Sequence, residues 1–283
     1  MQKLSKKIPF KIKNKLRRAI GILKGNKFVR KILTNNSTRL AIGECHHYLF
    51  PERYLKLDYK NSDFDFDLNN FTKLPFKDNS FTVITLYHIL EHLNDDSGER
   101  LLKECLRVLK KNGGLRIEVP DLDLFLKAYD SDDRVFLDYF KKNRLILTKK
   151  YGFSKMILED HISVVGEMAS YINNSIPGIH IPAYCTKAQF DDARSNGLEE
   201  LNKLAQSKTT KDQKKSFGHN NAFNFSKLNR ILNKIGFSEI KKQKRNITSI
   251  DNLKLGKGID SLICRVNEKK HREFFSLYVD AIK

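Results

Sequence analysis

Five short apolar runs between residues 39 and 120 set the strongest constraint on what this chain can fold into. Arg39-Leu40-Ala41-Ile42 ends at Gly43, and Tyr54-Leu55-Lys56-Leu57 ends at Asp58. Ser62 to Leu68 alternates Asp63, Asp65 and Asp67 with Phe64 and Phe66. Phe81 to Leu86 looks buried along its length, and Leu115 to Val119 closes at Pro120. Short runs closed by a turn former or a carboxylate read as strands. Between the last two the period changes. His88 to Leu93 is expected to open a helix. Gly98 to Lys111 puts Leu101, Leu102, Cys105, Val108 and Leu109 on one helical face, with Asn112-Gly113-Gly114 as the stop. Strands alternating with helices predict βαβ units and a parallel sheet, with ligands at the carboxyl ends of the strands. Gly43, Asp58, Asp67, His88 and Pro120 are strand-end positions, expected on one rim.

The chain has 283 residues, 40% of them hydrophobic, which is ample for a core and too many for a disordered chain. Its formal charge is +20, unevenly placed. Residues 1–43 hold thirteen Lys or Arg and no acid, whereas 44–97 hold ten acids and five bases. Residues 225–257 hold nine bases and two acids. The basicity lies in the flanks, and an acidic centre is a poor surface for a phosphate backbone. It suits a ligand held through hydroxyl groups. Leu16 to Leu33 is expected to be helical and broken at Gly25-Asn26. Residues 1–35 then offer a basic, amphipathic surface to an anionic membrane, or simply a solvated tail. Cys45, Cys105, Cys185 and Cys264 are far apart and form no CxxC, which speaks against a zinc site or a disulfide scaffold. With no long apolar segment and no export signal, the expected location is cytoplasmic, with the basic flank resting on the inner membrane face.

The segment from 38 to 125 resembles the class I S-adenosylmethionine-dependent methyltransferases, in particular the type-11-like bacterial group. The resemblance is carried by Leu74-Pro-Phe-Lys-Asp-Asn-Ser-Phe81, Tyr87-His-Ile-Leu-Glu-His-Leu93, Leu102-Lys-Glu-Cys-Leu-Arg-Val-Leu-Lys-Lys-Asn-Gly-Gly114 and Leu115-Arg-Ile-Glu-Val-Pro-Asp121. A weaker echo is Gly218-His-Asn-Asn-Ala-Phe-Asn-Phe-Ser-Lys-Leu228 followed by Leu232-Asn-Lys-Ile-Gly-Phe237, before two last strands ending with Ser276 to Ile282. The resemblance implies a seven-stranded Rossmann-like α/β sheet with helices on both faces and S-adenosylmethionine as cofactor. Residue by residue it places Gly43 and Glu44 in the loop under the methionine moiety. Asp58 falls on the ribose hydroxyls, Asp67 and Leu68 beside the adenine, and Tyr87 and His88 toward the methyl group and acceptor. Relatives of this type often accompany surface-polysaccharide or small-metabolite pathways. One departure is plain. The family's first loop usually carries two or three small residues, and here Gly43-Glu44-Cys45-His46-His47 keeps only Gly43.

His88-Ile-Leu-Glu91-His92 is formally an H-x-x-E-H metal motif, but the surrounding pattern explains it better, and no metal is assigned. The Asp63, Asp65, Asp67 alternation lacks the glycine and distal Glu of a calcium loop and reads as a solvated strand face. His88 and His219 are the candidate general bases, because imidazole titrates near neutral pH. The expected organisation is a basic extension over 1–37 and a methyltransferase domain over 38–283. Residues 126–217 would be a helical lid over the acceptor, with helices at 136–147 and 187–205. The expected reaction is methyl transfer to a small-molecule or glycan acceptor. Two other readings stay open: a methyltransferase-fold binding protein without catalysis, and a nucleic-acid methyltransferase.

Overall fold

The computed structural model describes residues 38–43, 54–59, 62–133, 135–136, 185–208, 221–245, 247–251, 253 and 275–283. Seven strands form one sheet in the order β3-β2-β1-β4-β5-β7-β6. They are β1 (Arg39–Gly43), β2 (Leu55–Asp58), β3 (Phe64–Asp65), β4 (Phe81–Tyr87), β5 (Leu109–Pro120), β6 (Ser238–Gln243) and β7 (Ser276–Ile282). The pairs β2–β3, β1–β2, β1–β4 and β4–β5 are parallel, and β7 lies antiparallel to both β5 and β6. The described helices are α1 (Asp95–Val108), α2 (Leu122–Asp130), α3 (Lys187–Ser195), α4 (Leu198–Lys208) and α5 (Phe225–Ile235). The order of strands reverses between β1 and β4, which opens a crevice at their carboxyl ends.

The main core joins Leu40, Ile42, Leu55, Leu57, Ile84, Leu86, Ile117, Leu277 and Val279 of the sheet to Leu101, Cys105, Leu228 and Leu232 of α1 and α5. Phe64, Phe76 and Phe81 stack edge-to-face within it, at 5.0 and 4.9 Å between centroids. Each such contact adds roughly 0.5–1.5 kcal/mol to the burial of the rings. A second cluster joins Leu122 and Tyr129 of α2 to Phe190, Ala193, Leu201 and Ala205 of α3 and α4, so part of the expected lid rests on the sheet domain.

The Leu74–Phe81 and Glu104–Arg107 words of the sequence are mutual fasteners. Leu74 N–H donates to Glu104 Oε2 at 2.7 Å. Arg107 donates to the carbonyls of Phe76 (3.0 Å) and Leu74 (3.3 Å), to Asp78 (2.6 Å) and to both Glu104 oxygens. Burial pushes the Glu104 carboxyl up, but Arg107 and the Leu74 N–H overcome it and hold the group below its ordinary value.

Four local expectations differ from the structure. The third strand shrinks to Phe64–Asp65, because the flanking carboxylates cap backbone donors instead: Asp63 accepts from Lys56 N–H and Asp67 from Asn69 N–H. The segment 88–93 opens no α-helix. His88 takes φ +47° and only Leu90–His92 coil into a 3₁₀ turn. The following helix starts after Asn94, whose side chain accepts from Ser97 N–H, and ends at Val108 rather than at Asn112-Gly113-Gly114. Leu109 already pairs with Phe81, the next ladder pair is Val83 with Gly114, and the intervening residues bulge. Gly114 is needed there for close approach, since a Cβ would lie 2.4 Å from Ile250 Cγ2. The stretch 187–205 is two helices parted at Asn196-Gly197. The expected helices at 16–33 and 136–147 lie outside the described residues, except Phe136.

Candidate active site at the carboxyl edge of the sheet

Gly43, Asp58 and Tyr87 end β1, β2 and β4. Gly43 pairs with Tyr87 in the β1–β4 ladder. Its φ of +93° is disfavoured for any residue with a Cβ, and a Cβ there would lie 2.6 Å from the Tyr87 carbonyl oxygen. The last residue of β1 thus has a backbone conformation suited to glycine, with no Cβ to keep a ligand from the backbone. Asp58 is half-buried on the neighbouring strand, and its Oδ1 accepts from Tyr59 N–H at 2.7 Å. Asp67 is exposed beyond β3, and Leu68 is buried beneath it in the main core. Of the five positions expected on the rim, Gly43, Asp58 and Pro120 end β1, β2 and β5, His88 directly follows β4, and Asp67 lies two residues past the end of β3. Glu44, His46, His47 and His219 lie outside the described residues.

His88 follows Tyr87 at the edge, but its imidazole is enclosed (3% exposed) rather than presented to the crevice. Nδ1 is 2.8 Å from Glu91 Oε1, and Nε2 is 3.3 Å from both Glu118 Oε1 and Ser276 Oγ. Tyr278 O–H donates to the same Glu118 oxygen at 3.2 Å. Burial alone would push the imidazole down. The charge of Glu91 and the bonds to Glu118 and Glu91 overcome it and raise the group to about 9. At neutral pH His88 is therefore a charged, paired group, and that is not the state of a ready general base. In the H-x-x-E-H word, Nδ1 of His88 faces the Glu91 carboxylate. Among the described residues no three His, Cys, Asp or Glu groups are arranged to hold a metal.

Sequence reading missed Glu118, Ser276 and Tyr278. Glu118 carried a signal, as an acid inside an apolar strand between Ile117 and Val119. Ser276 is 188 residues from its partner and carried none. Beside this group, at the end of β5, Asp121 caps α2 and accepts from Lys242 Nζ at 2.9 Å. Burial leads the causes that leave the Asp121 carboxyl above its ordinary value, despite Lys242.

The described residues fit S-adenosylmethionine. Gly43, without a Cβ, ends one strand, and the carboxylate of Asp58 ends the next, a donor set suited to a ligand with close backbone contact and vicinal hydroxyls.

A family model described as a methyltransferase domain, of type 11, matches residues 46–117. No curated protein matches. Among solved structures, the chain is 17% identical to a possible histamine N-methyltransferase of Thermotoga maritima, covering 75% of this chain and 60% of that one (TM-score 0.28). It is 13% identical to an S-adenosylmethionine-dependent methyltransferase of Archaeoglobus fulgidus, covering 93% of each chain (TM-score 0.37). With phosphoethanolamine N-methyltransferase 2 of Haemonchus contortus the identity is 12%, over 88% of this chain and 49% of that one (TM-score 0.37). The match to the type-11 methyltransferase domain covers residues 46–117, which run through β2, β3, β4, α1 and most of β5 and carry most of the motif words, within a seven-stranded Rossmann-like α/β sheet.

Proposed function

We propose that the protein transfers a methyl group from S-adenosylmethionine to a hydroxyl-bearing small molecule or glycan. The observation that carries this reading is the line of Gly43, Tyr87 and Asp58 along adjacent strand ends, with the carboxylates of Glu118 and Asp121 at the end of β5. When bound, S-adenosylmethionine supplies a methyl group already activated on a sulfonium, so the protein's work is alignment and proton handling. Gly43 would let the chain pass under the cofactor. Asp58 would accept from the ribose hydroxyls, with Asp67 and Leu68 at the adenine side and Glu44 in the first loop. Tyr87 would border the point of transfer. A hydroxyl acceptor must give up a proton. His88 already holds one, so His219 is the better candidate to receive it. The basic residues 1–35 would rest on an anionic membrane surface, which fits a lipid-linked glycan of surface-polysaccharide synthesis. The acidic rim argues against nucleic acid as acceptor.

Titration calorimetry with S-adenosylmethionine and S-adenosylhomocysteine tests the core of this reading. Binding that weakens at least tenfold in Asp58→Asn supports it. No heat at millimolar ligand points instead to a methyltransferase-fold protein without catalysis. Label transfer from S-adenosylmethionine to glycan but not RNA supports the acceptor class, and labelled RNA overturns it.

A further inference from the structure

His88 stands where β4, the 3₁₀ turn, β5 and β7 meet. Its backbone N–H donates to Glu118 O at 2.9 Å. Its ring nitrogens face carboxylates on both sides, Glu91 Oε1 at 2.8 Å and Glu118 Oε1 at 3.3 Å, with the Ser276 hydroxyl, which can donate or accept, also 3.3 Å from Nε2. A neutral imidazole donates from one nitrogen only, and two carboxylate partners require both to donate. Glu91 is fully buried, and among the described residues its second oxygen has no hydrogen-bond partner. Its other oxygen faces His88 Nδ1. Other titratable or charged groups near the cluster include His92 on the same turn as Glu91, Tyr87 on the strand before His88, Tyr278 on β7 and Arg245 after β6. Arg116 on β5 lies over the Tyr278 ring at 5.2 Å and is itself paired with Asp280. On its outer side the imidazole meets the Tyr87 ring edge-on, at 5.2 Å and 75°. Tyr87 is in turn the ladder partner of Gly43.

We propose that His88 is a positioning residue: as an imidazolium strung between Glu91 and Glu118, it holds Tyr87 and the Gly43 turn in place, and the cofactor cleft is competent only while that ring keeps its proton. This rests on the reading that Gly43 and Tyr87 border the cofactor. It gives the H-x-x-E-H word a role that is neither metal binding nor proton abstraction. Left-handed backbone at His88 strains any residue with a side chain, and the two ring contacts are what the strain is held against.

The test combines two measurements on the full chain. The first is nuclear magnetic resonance of ring-labelled histidine, with the His88 signal assigned through its backbone connectivities in the wild-type protein. The expected result is both ring nitrogens protonated at pH 7 and a midpoint near 9. The second is calorimetric affinity for S-adenosylhomocysteine from pH 7 to pH 10. The expected result is a fall of at least tenfold along the imidazole titration, with His88→Gln weaker at pH 7 and showing no such step. A neutral His88 at pH 7 overturns the proposal. So does affinity that stays level while the ring loses its proton. Absence of binding at every pH overturns the cleft reading itself, whatever the imidazole does. Because the wild-type titration stands alone, a variant that fails to fold leaves the test intact.

Discussion

Replacing Gly43 by Ala is the sharpest perturbation of the cleft. The added Cβ would sit 2.6 Å from the Tyr87 carbonyl oxygen and 3.2 Å from Ile89 Cβ. A backbone oxygen in a paired strand end cannot swing aside, so β1 and β4 must part at their carboxyl ends. A φ of +93° adds conformational strain of its own, roughly 1–2 kcal/mol for a residue with a side chain. With the forced displacement the total should be about 2–4 kcal/mol. In a chain this size about 2–4 °C of thermal midpoint goes with each kcal/mol. The expected fall is therefore roughly 4–16 °C if the damage goes wholly into stability. Part of it should appear as at least a tenfold loss of S-adenosylhomocysteine affinity, measured by calorimetry below the melting range. Gly98→Ala is the matched control. That glycine lies in α1 with nothing within 4 Å of an added Cβ, and the exchange should stabilise by roughly 0.5–1 kcal/mol. A Gly43→Ala protein with unchanged midpoint and unchanged affinity would refute both the strained turn and its place in the cofactor site.

Three further outcomes are expected. Arg116 pairs with fully buried Asp280 at 2.9 Å and donates to the carbonyls of Lys244, Arg245 and Ile247; Arg116→Met should cost about 3–5 kcal/mol in urea unfolding, because a buried carboxylate loses its counter-charge, and a cost under about 1 kcal/mol would contradict the pairing. His88 sits near 9 when folded against an ordinary 6.5, so its stabilisation is complete below pH 6.5 and is lost as pH rises through 9. The stability difference between wild type and His88→Gln should therefore shrink by about 3 kcal/mol between pH 6 and pH 10, and a constant difference would count against an imidazolium. Cys105 is fully buried in the main core and burial raises its thiol far above the ordinary range; peptide mapping after mild alkylation should find it unmodified in the folded protein and labelled in urea.

The sheet was legible because its strands carry their own punctuation. Gly43, Asp58 and Pro120 stand where apolar runs stop, and all three close strands in the structure. The errors arose where side chains compete with the backbone for hydrogen bonds. Asp63 and Asp67 cap backbone donors and shorten β3, and the left-handed residue at His88 prevents the helix that Leu90 and Leu93 suggest. The motif words told family before they told function. Leu74, Phe76, Glu104 and Arg107 fasten α1 to the preceding turn and stand apart from the crevice edge. The environment of His88 was only half legible: Glu91, which leads the causes that raise it, is three residues on, but Glu118 and Ser276 lie on strands that only the completed sheet brings to it. No local spacing encodes such a pair, whereas the acid inside Ile117-Glu118-Val119 did mark a polar group needing a partner.

The position of β7 has a temporal consequence. Among the described strands it comes last in chain order, yet it lies between β5 and β6 and pairs with both. As the chain emerges from a ribosome, β6 has no neighbour to join and the flank of β5 stays open until Ser276 to Ile282 arrive. Those residues also deliver Ser276 and Tyr278 to the His88 cluster. Such a chain can collapse early, but it cannot acquire its working edge by halves. Insertion of this one strand joins β5 to β6 and completes the His88 cluster in the same event.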